Sequence, residues 1–392
     1  MPLLLGITRA GADIGLCIIA VMFLSHCALR HDWQWLRQPE TKALAALWAF
    51  MLATSMASPV HPMEALKAAA IWGRFLLFFA AARFWLLTPS PALQKLGAIA
   101  LCILFLAAID TFWQYKTGLS LTGHAMIGED RLTGPLTKAN IGNFFLKIAV
   151  PMAGVISYRM IAAGQFKRLW IPALALLTTI AIVMISGERS TALLMLLSFG
   201  VIGASLAMFR PQARKWVAAG AAAVAAFVAL VAATQPIFMG KVHFFIEQVS
   251  DFGNTPYGQL YLAAWRLWRQ HPLTGIGAQQ FLEACQPAIL QVTYCDVHPH
   301  NMYFEWLVAT GLPGLLLFIL AMALILRRLL REASFTGTAS ILTAFALSEF
   351  AVLLFPFVVT QSVFSNWSAA LFWYGLSLGV SLPNFAAGRR DA

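Results

Sequence analysis

Long apolar runs separated by short polar connections dominate this sequence of 392 residues and constrain its fold most. Several runs reach the roughly 20 residues that an α-helix needs to cross a bilayer. Hydrophobic residues make up 60% of the chain and charged residues only 11%, which is typical of a membrane protein. A membrane barrel would instead show short strands of alternating polarity. We therefore predict an all-α polytopic membrane protein with about 11–12 transmembrane helices.

Eleven runs form the predicted spans. They are residues 11–29, 41–57, 64–86, 93–113, 140–158, 169–185, 190–209, 216–234, 300–327, 338–356 and 362–381. A twelfth helix is expected if one is missing or half-inserted at the amino terminus; otherwise the terminus lies outside. The resulting division is 1–234 for helices one to eight, 235–300 for a large outer loop, and 301–392 for helices nine to eleven and a tail.

The connections alternate between basic and basic-poor, which indicates their sides of the membrane. Basic connections remain in the cytoplasm of bacterial membrane proteins. Their Lys and Arg are Arg30, Arg37, Lys42, Arg83, Lys95, Arg159, Lys167, Arg168, Arg210, Arg214, Lys215, Arg327, Arg328, Arg331, Arg389 and Arg390. Loops 114–138, 186–189, 235–300 and 357–361 are then outside. This pattern accounts for the net charge of +11 without a nucleic-acid partner.

The large outer loop carries helical patterns of its own. Residues 257–270 place apolar side chains at three- and four-residue spacing, which predicts an amphipathic helix lying against the membrane surface. Residues 242–250 and 281–290 are further short helical segments. The loop also contains Cys285 and Cys295, which we expect either to pair in a disulfide or to remain two solvent-facing thiols. The other three cysteines, Cys17, Cys27 and Cys102, lie in apolar runs and are predicted to be buried.

Cations gather where positive charge is disfavoured. Arg131, Arg189, Arg266 and Arg269 belong to predicted outer segments, and Arg74 lies within a span. Charges in or beside spans are costly and often functional. Guanidinium groups at a water–membrane boundary suit a phosphate or diphosphate. The alternative for each is a contact with lipid headgroups.

The segment His298-Pro299-His300-Asn301 precedes the ninth span and admits three interpretations. The histidines could bind a metal ion, although few carboxylates lie near them in sequence. Asn301 could cap the helix, with the histidines satisfied structurally. An imidazole could instead act as a general base that removes a proton from a hydroxyl. No acidic metal-binding motif accompanies the segment, so we favour a reaction without metal or other cofactor.

Four segments of the chain carry a family resemblance. They are Arg131-Leu132-Thr133-Gly134-Pro135 with Asn140, Ser186-Gly187-Glu188-Arg189-Ser190, His271-Pro272-Leu273-Thr274-Gly275-Ile276-Gly277, and His298-Pro299-His300-Asn301 followed by Gly311-Leu312-Pro313-Gly314. Together they resemble the O-antigen ligase and polymerase superfamily of membrane glycosyltransferases. The chain departs from the family pattern at Ser190, where the family has Gly, and at Tyr257, where it often has Arg. Ligases of the family commonly have twelve spans.

The resemblance implies transfer of a glycan from undecaprenyl diphosphate to an acceptor at the periplasmic face of the inner membrane. For a ligase the acceptor is lipid A–core. His300 is implied as the base, with His298 beside it, and Arg189 as a diphosphate ligand. The candidate substrate-binding residues are Arg74, Arg131, Arg189, Tyr257, Arg266, Arg269 and Asn301.

Two other functions stay open at this point. A polymerase of the same superfamily would use the same lipid-linked donor with another repeat unit as acceptor. A lipid-linked glycan transporter would place polar residues along the middle of the spans, whereas here they gather at one face.

Overall fold

The computed structural model describes residues 9–88, 91–128, 131–136, 140–234, 246 and 248–387. Each predicted span coincides with one helix of the described chain. These are α1 (Arg9–Arg30), α2 (Pro39–Ser55), α3 (Pro62–Ala81), α4 (Pro91–Thr117), α5 (Ile141–Ala162), α6 (Trp170–Ile185), α7 (Arg189–Phe209), α8 (Arg214–Thr234), α12 (Met302–Glu332), α13 (Ser340–Leu354) and α14 (Asn366–Ser381). The shorter helices are α9 (Pro256–Gln270), α10 (Phe281–Ala284), α11 (Pro287–Leu290) and α15 (Asn384–Ala387).

Seven helices of the described chain are long and apolar enough to cross a bilayer. They are α1, α3 with its continuation to Leu86, α4, α5, α6, α7 and α12. Helices α2, α13 and α14 are shorter, at 17, 15 and 16 residues. The prediction of an all-α polytopic membrane protein is confirmed. The boundaries 1–234, 235–300 and 301–392 stay predictions, and residues 235–245 and 247 of the predicted outer loop, with Arg389 and Arg390 of the tail, lie outside the described residues.

The basic connections meet one another at one end of the bundle. Arg83, just after α3, forms an ion pair with Glu332 at the end of α12. Arg328 pairs with Glu40 of α2 at 3.0 Å and with Glu332 at 3.0 Å. Charged residues from three connections therefore share one network at the end that the sequence assigns to the cytoplasm.

The basic-poor connections contact each other in the same way. Ser58 Oγ, between α2 and α3, donates to the carbonyl of Ile276 in the outer loop at 2.5 Å. The N–H of Thr360, between α13 and α14, donates to the carbonyl of His300 at 2.8 Å. These contacts gather the predicted outer segments into one layer.

A cluster of aromatic side chains supports this layer from below. The ring of Trp72 in α3 meets Trp306 of α12 edge-on at 5.5 Å and Trp373 of α14 at 5.6 Å. Trp306 stacks on Phe318 at 5.0 Å. All four side chains are buried. The first turns of α12 therefore pack against buried aromatic side chains of α3 and α14.

The outer layer has a small apolar core, and this corrects one prediction. The apolar face of α9, formed by Leu260, Ala263, Ala264 and Leu267, is buried against α12 and the segment around Ile276. We expected this face to lie on the membrane surface. Packing on protein and lying on the membrane both remove the same apolar area from water. The periodicity of the sequence therefore could not distinguish between them.

The free cysteines give a second correction. Cys27 is buried, as predicted, but Cys17 and Cys102 are exposed on the outside of the bundle. An apolar run in a membrane protein has a protein-facing side and a lipid-facing side, and both are apolar. Hydropathy alone therefore cannot assign a residue to either side.

Two glycine-containing segments, one around Gly277 and one around Gly311, form backbone contacts between the outer layer and α12. The N–H groups of Ile276 and Gly277 donate to the carbonyls of Val308 and Ala309 at 2.8 and 3.0 Å. Gly311 has φ 68° and ψ −176°, a conformation open mainly to glycine. A Cβ on Gly311 would lie 2.5 Å from the backbone carbon of Leu273. The two segments therefore approach backbone to backbone.

Candidate active site

The His-Pro-His-Asn motif lies where the outer layer meets α12. The side-chain oxygen of Asn301 accepts hydrogen bonds from the N–H groups of Tyr303 and Phe304 at 3.0 and 3.2 Å. A helix start leaves such donors without partners, so Asn301 caps α12. Its Nδ2 donates to the carbonyl of Pro356 at 2.8 Å. Both the oxygen and the nitrogen of this amide are therefore hydrogen-bonded within the protein. Asn301 holds the motif in place and is not a free ligand group.

His300 occupies the left-handed backbone region, with φ 56°. Residues with a Cβ rarely adopt this conformation, which costs on the order of 1 kcal/mol. Contacts on both sides hold it there: the carbonyl accepts from Thr360, and the N–H donates to Nδ1 of His298 at 3.2 Å. This backbone conformation sets the direction of the His300 side chain.

The His300 imidazole has one engaged nitrogen and one without a partner. Nε2 lies 3.1 Å from Oδ2 of Asp296. Nδ1 is buried and has no hydrogen-bond partner among the described residues. The ring lies 4.1 Å from the ring of His298 and 5.7 Å from the ring of Tyr257. Tyr257 therefore lies beside the candidate base.

The surroundings of Asp296 favour the ionised form of its side chain. Partial burial raises its pKa, but hydrogen bonds from the Val297 N–H, from His300 and from the Tyr294 hydroxyl outweigh burial and hold the pKa below its usual value. An ionised carboxylate that accepts from an imidazole N–H fixes the tautomer and orientation of the ring. With Nε2 protonated, Nδ1 becomes the nitrogen that can accept a proton.

Several contacts hold the loop that carries Asp296. Cys285 and Cys295 form a disulfide, with Cα atoms 5.9 Å apart. Arg266 of α9 donates through one nitrogen to the carbonyls of Leu290 and Gln291, the latter at 2.8 Å. Part of the donor capacity of Arg266, a predicted phosphate ligand, is therefore used to hold this loop.

Arg189 is the first residue of α7 and follows a polar turn that packs on α5. The Glu188 carboxylate accepts from the N–H groups of Gly142 and Asn143 at 2.7 and 3.1 Å, and from the Thr191 hydroxyl at 2.8 Å. Burial raises the pKa of Glu188 to about 7. These contacts fix the turn, while the Arg189 side chain is exposed.

The segment that carries Arg131 meets the same turn through its neighbour Leu132. The N–H of Leu132 donates to the carbonyl of Ser186 at 3.3 Å. Gln114 accepts from the N–H groups of Thr133 and Gly134 at 2.9 and 2.8 Å. Arg131 is exposed. Two of the sequence motifs therefore meet, which brings the backbone of Arg131 close to the turn that carries Arg189.

The two remaining arginines have different surroundings. Arg74 pairs with Asp13 at 2.8 Å and donates to the side chain of Asn366 at 2.9 Å, and its side chain is only 10% exposed. Arg74 thus ties α3 to α1 and α14. Arg269 lies exposed in the last turn of α9.

A narrow cleft that opens to solvent lies beside the histidine motif. Its polar lining comes from α5, from the 355–365 connection and from the start of α14: Asn143, Lys147, Thr360, Gln361, Ser362 and Ser368. Met302, two residues after His300, also lines it. Apolar side chains of α7, α13 and α14 form the rest. Asn143 and Thr360 connect the cleft to the Glu188 turn and to His300 respectively.

A comparison with protein families shows what this part of the chain is similar to. Residues 174–319 match a family model described as O-antigen ligase, a stretch that includes Arg189, the outer layer and the His-Pro-His-Asn motif. Over this stretch, which is less than half of the chain, the sequence is similar to the O-antigen ligase family. This assignment confirms the resemblance to the ligase and polymerase superfamily, whose glycosyltransferases work in membranes on a lipid-linked glycan donor.

Two further comparisons add little to the O-antigen ligase assignment. No curated protein matches the chain. A solved structure titled "Structural coordination of polymerization and crosslinking by a peptidoglycan synthase complex" aligns with 15% sequence identity, over 91% of this chain and 98% of that chain, with a TM-score of 0.47.

Several residues around the O-antigen ligase motifs were not predicted as site residues. Asp296 precedes the motif by two residues and had no periodic or family signal. Thr360 and Asn143 lie on other segments and reach the site only through the fold. Glu305 accepts hydrogen bonds from Ser362 and, at 2.9 Å, from the N–H of Val363, so it holds the connection that carries Thr360.

Proposed function

We propose that this protein is an inverting, metal-independent glycosyltransferase of the O-antigen ligase type. It transfers O-antigen glycan from undecaprenyl diphosphate to a hydroxyl of lipid A–core. The active site faces the periplasm at the inner membrane. The observation that carries the proposal is the Asp296–His300 pair beside a polar cleft, within a domain of the O-antigen ligase family.

The reaction balances with the groups present. Nδ1 of His300 takes the proton of the acceptor hydroxyl, and the oxygen attacks the anomeric carbon of the donor sugar. The bond from that carbon to the diphosphate oxygen breaks, and its electron pair leaves with undecaprenyl diphosphate. Attack opposite the leaving group inverts the anomeric centre. A base in direct contact with the nucleophile contributes about 10²- to 10⁴-fold to such a step.

Cationic groups would stabilise the leaving diphosphate. Arg189 and Arg131 are exposed beside one turn, and Arg269 is exposed on α9, so their guanidinium groups can reach a ligand. Arg74 and Arg266 hold protein groups, and Asn301 caps a helix. We assign the phosphate contacts to Arg189, which the family resemblance implies as a diphosphate ligand, with the exposed Arg131 and Arg269 as further ligands.

Replacement of His300 by Ala tests the proposal. We expect glycan transfer in membranes to fall at least about 100-fold, because the base is lost. His61→Ala is the matched control, since His61 is an exposed histidine at the start of α3. Transfer by His300→Ala at the wild-type rate would refute the assignment of the base.

The lipids of a deletion strain separate the ligase from the alternatives. Loss of a ligase leaves full-length polymer on the lipid carrier, whereas loss of a polymerase leaves a single repeat unit. A transporter would move the lipid-linked glycan across liposome membranes without transferring it. We expect polymer on the carrier.

A further inference from the structure

The cleft contains polar atoms that lack partners. Oδ1 of Asn143 and Oγ1 of Thr360 are buried, and neither has a hydrogen-bond partner among the described residues. They belong to different segments, α5 and the 355–365 connection, yet both line the same cleft. A buried polar group without a partner is unfavourable, and a ligand with hydroxyl groups would supply the missing hydrogen bonds.

Lys147 adds a positive charge to the same cleft. It lies one helical turn after Asn143 on α5, so both side chains point to the same side of the helix. Its electrostatic partners are Glu349 of α13 and Glu188 of the α6–α7 turn. A lysine in a membrane span commonly extends to the lipid headgroups. Its position in the cleft indicates that it can instead meet a ligand anion.

The cleft therefore combines three features that a single ligand would have to match. It has a cation, two polar oxygens that no described residue hydrogen-bonds, and an apolar wall formed by residues such as Leu194, Val352 and Phe372. An ammonium group suits a phosphate oxygen, while amide and hydroxyl oxygens suit sugar hydroxyls. The apolar wall suits the first carbons of a lipid chain.

We propose that this cleft binds a sugar phosphate, with Lys147 on the phosphate and Asn143 and Thr360 on the sugar hydroxyls. This inference rests on the proposed function, because that function supplies substrates of this class. The backbone of Thr360 also holds His300, so a sugar bound to its side chain lies close to the base. The sugar phosphate comes either from the glycosyl diphosphate of the donor or from a phosphorylated sugar of the acceptor.

Binding measurements on the full-length protein in nanodiscs test the proposal. The probes are farnesyl diphosphate and farnesyl diphosphate linked to N-acetylglucosamine. We expect Lys147→Met to weaken both probes by about 30-fold or more, as when one partner of a buried charge pair is removed. Thr360→Val removes only the hydroxyl and keeps the N–H that binds His300. It should weaken only the sugar-bearing probe, by about fivefold.

Two further variants separate binding from folding. Lys147→Met leaves Glu188 and Glu349 without their cation, which can destabilise the protein. The combined variant Lys147→Met with Glu349→Gln removes one of these charges and should show the same loss of binding. Lys116→Met is the control, because Lys116 is exposed at the end of α4. Wild-type affinity for both probes in the Lys147 variants, with an unchanged KM for donor and acceptor, would overturn the proposal.

Kinetics identify the source of the sugar phosphate. A higher KM for the donor together with weaker probe binding assigns the cleft to the donor. If the KM rises only for a phosphorylated acceptor, and this rise is absent for the dephosphorylated acceptor, the cleft is assigned to the acceptor. Probe binding needs no turnover. Lys147-dependent binding without any glycan transfer would therefore refute the proposed function and leave the cleft assignment intact.

Discussion

At the scale of single residues, the candidate base depends on a partner that is close in both sequence and space. Asp296 lies four residues before His300, and the turn through Pro299 brings its carboxylate to the imidazole. Charged and polar neighbours of the ring are Asp296, His298, Tyr257 and, through Asp296, Tyr294. Of these, Asp296 carries the charge that a protonated imidazole would meet.

Replacing Asp296 with Asn should change both the rate and its pH dependence. We expect transfer to fall about 10- to 100-fold, corresponding to about 1.5–3 kcal/mol for a hydrogen bond to a charged group. The lowered pKa of Asp296 keeps its carboxylate ionised to a lower pH than is usual for an aspartate. Its stabilising contribution is present above its unfolded pKa and is lost only as the pH falls through the folded pKa.

The ionised carboxylate therefore lies beside the His300 ring at every pH above its own lowered pKa. In Asp296→Asn the acid limb of the activity profile should move to lower pH, because a protonated ring would have lost a negative neighbour. Glu283→Gln makes the same charge change at an exposed position of the same loop and should leave the profile unchanged. If Asp296→Asn keeps the wild-type profile, Asp296 does not position the base.

At the scale of elements, the outer layer is held by close backbone contacts and covalent ties. The segment 272–277 pairs with the first half of α12, and the disulfide and Arg266 fix the loop that follows. These contacts include a hydrogen bond from the Leu312 N–H to the Pro272 carbonyl at 2.8 Å, which joins two of the motif segments. Their function in this structure is to hold the histidine motif at a fixed place above α12.

Gly311→Ala should destabilise the protein strongly. Alanine is strained at the φ and ψ of Gly311, which costs about 1–3 kcal/mol, and its Cβ would clash with the backbone at Leu273. We expect a lower unfolding temperature and reduced transfer in the purified protein. Gly200→Ala in α7 has open space around its Cβ and should match or exceed wild-type stability. Equal unfolding temperatures for the two variants would contradict the close contact.

At the scale of the whole molecule, the two ends of the bundle differ in chemistry. One end holds the Arg83, Arg328, Glu40 and Glu332 network, and the other holds the outer layer and the cleft. The positive-inside rule assigns the first end to the cytoplasm. The substrates of the proposed reaction would then meet at the opposite face.

Cysteine labelling tests this orientation. In a variant with Cys17, Cys27 and Cys102 changed to Ala, Asn254→Cys reports on the outer layer and Gln212→Cys on the α7–α8 connection. Both positions are exposed. A membrane-impermeant maleimide added to spheroplasts should label only Asn254→Cys, while lysed membranes should allow labelling of both. Labelling of only Gln212→Cys in spheroplasts would reverse the topology.

The sequence by itself determined the helical membrane fold, the eleven helices and the His-Pro-His-Asn motif. Hydropathy and charge bias are properties of consecutive residues, so they can be read from the sequence without knowledge of the fold. Only the tertiary structure decided that Asn143, Lys147 and Thr360 share one cleft, that Arg74 is paired within the bundle, and that α9 packs on protein. Such contacts join residues far apart in the chain. They depend on which apolar faces pack on protein and which face lipid, and the two kinds of face have the same hydropathy.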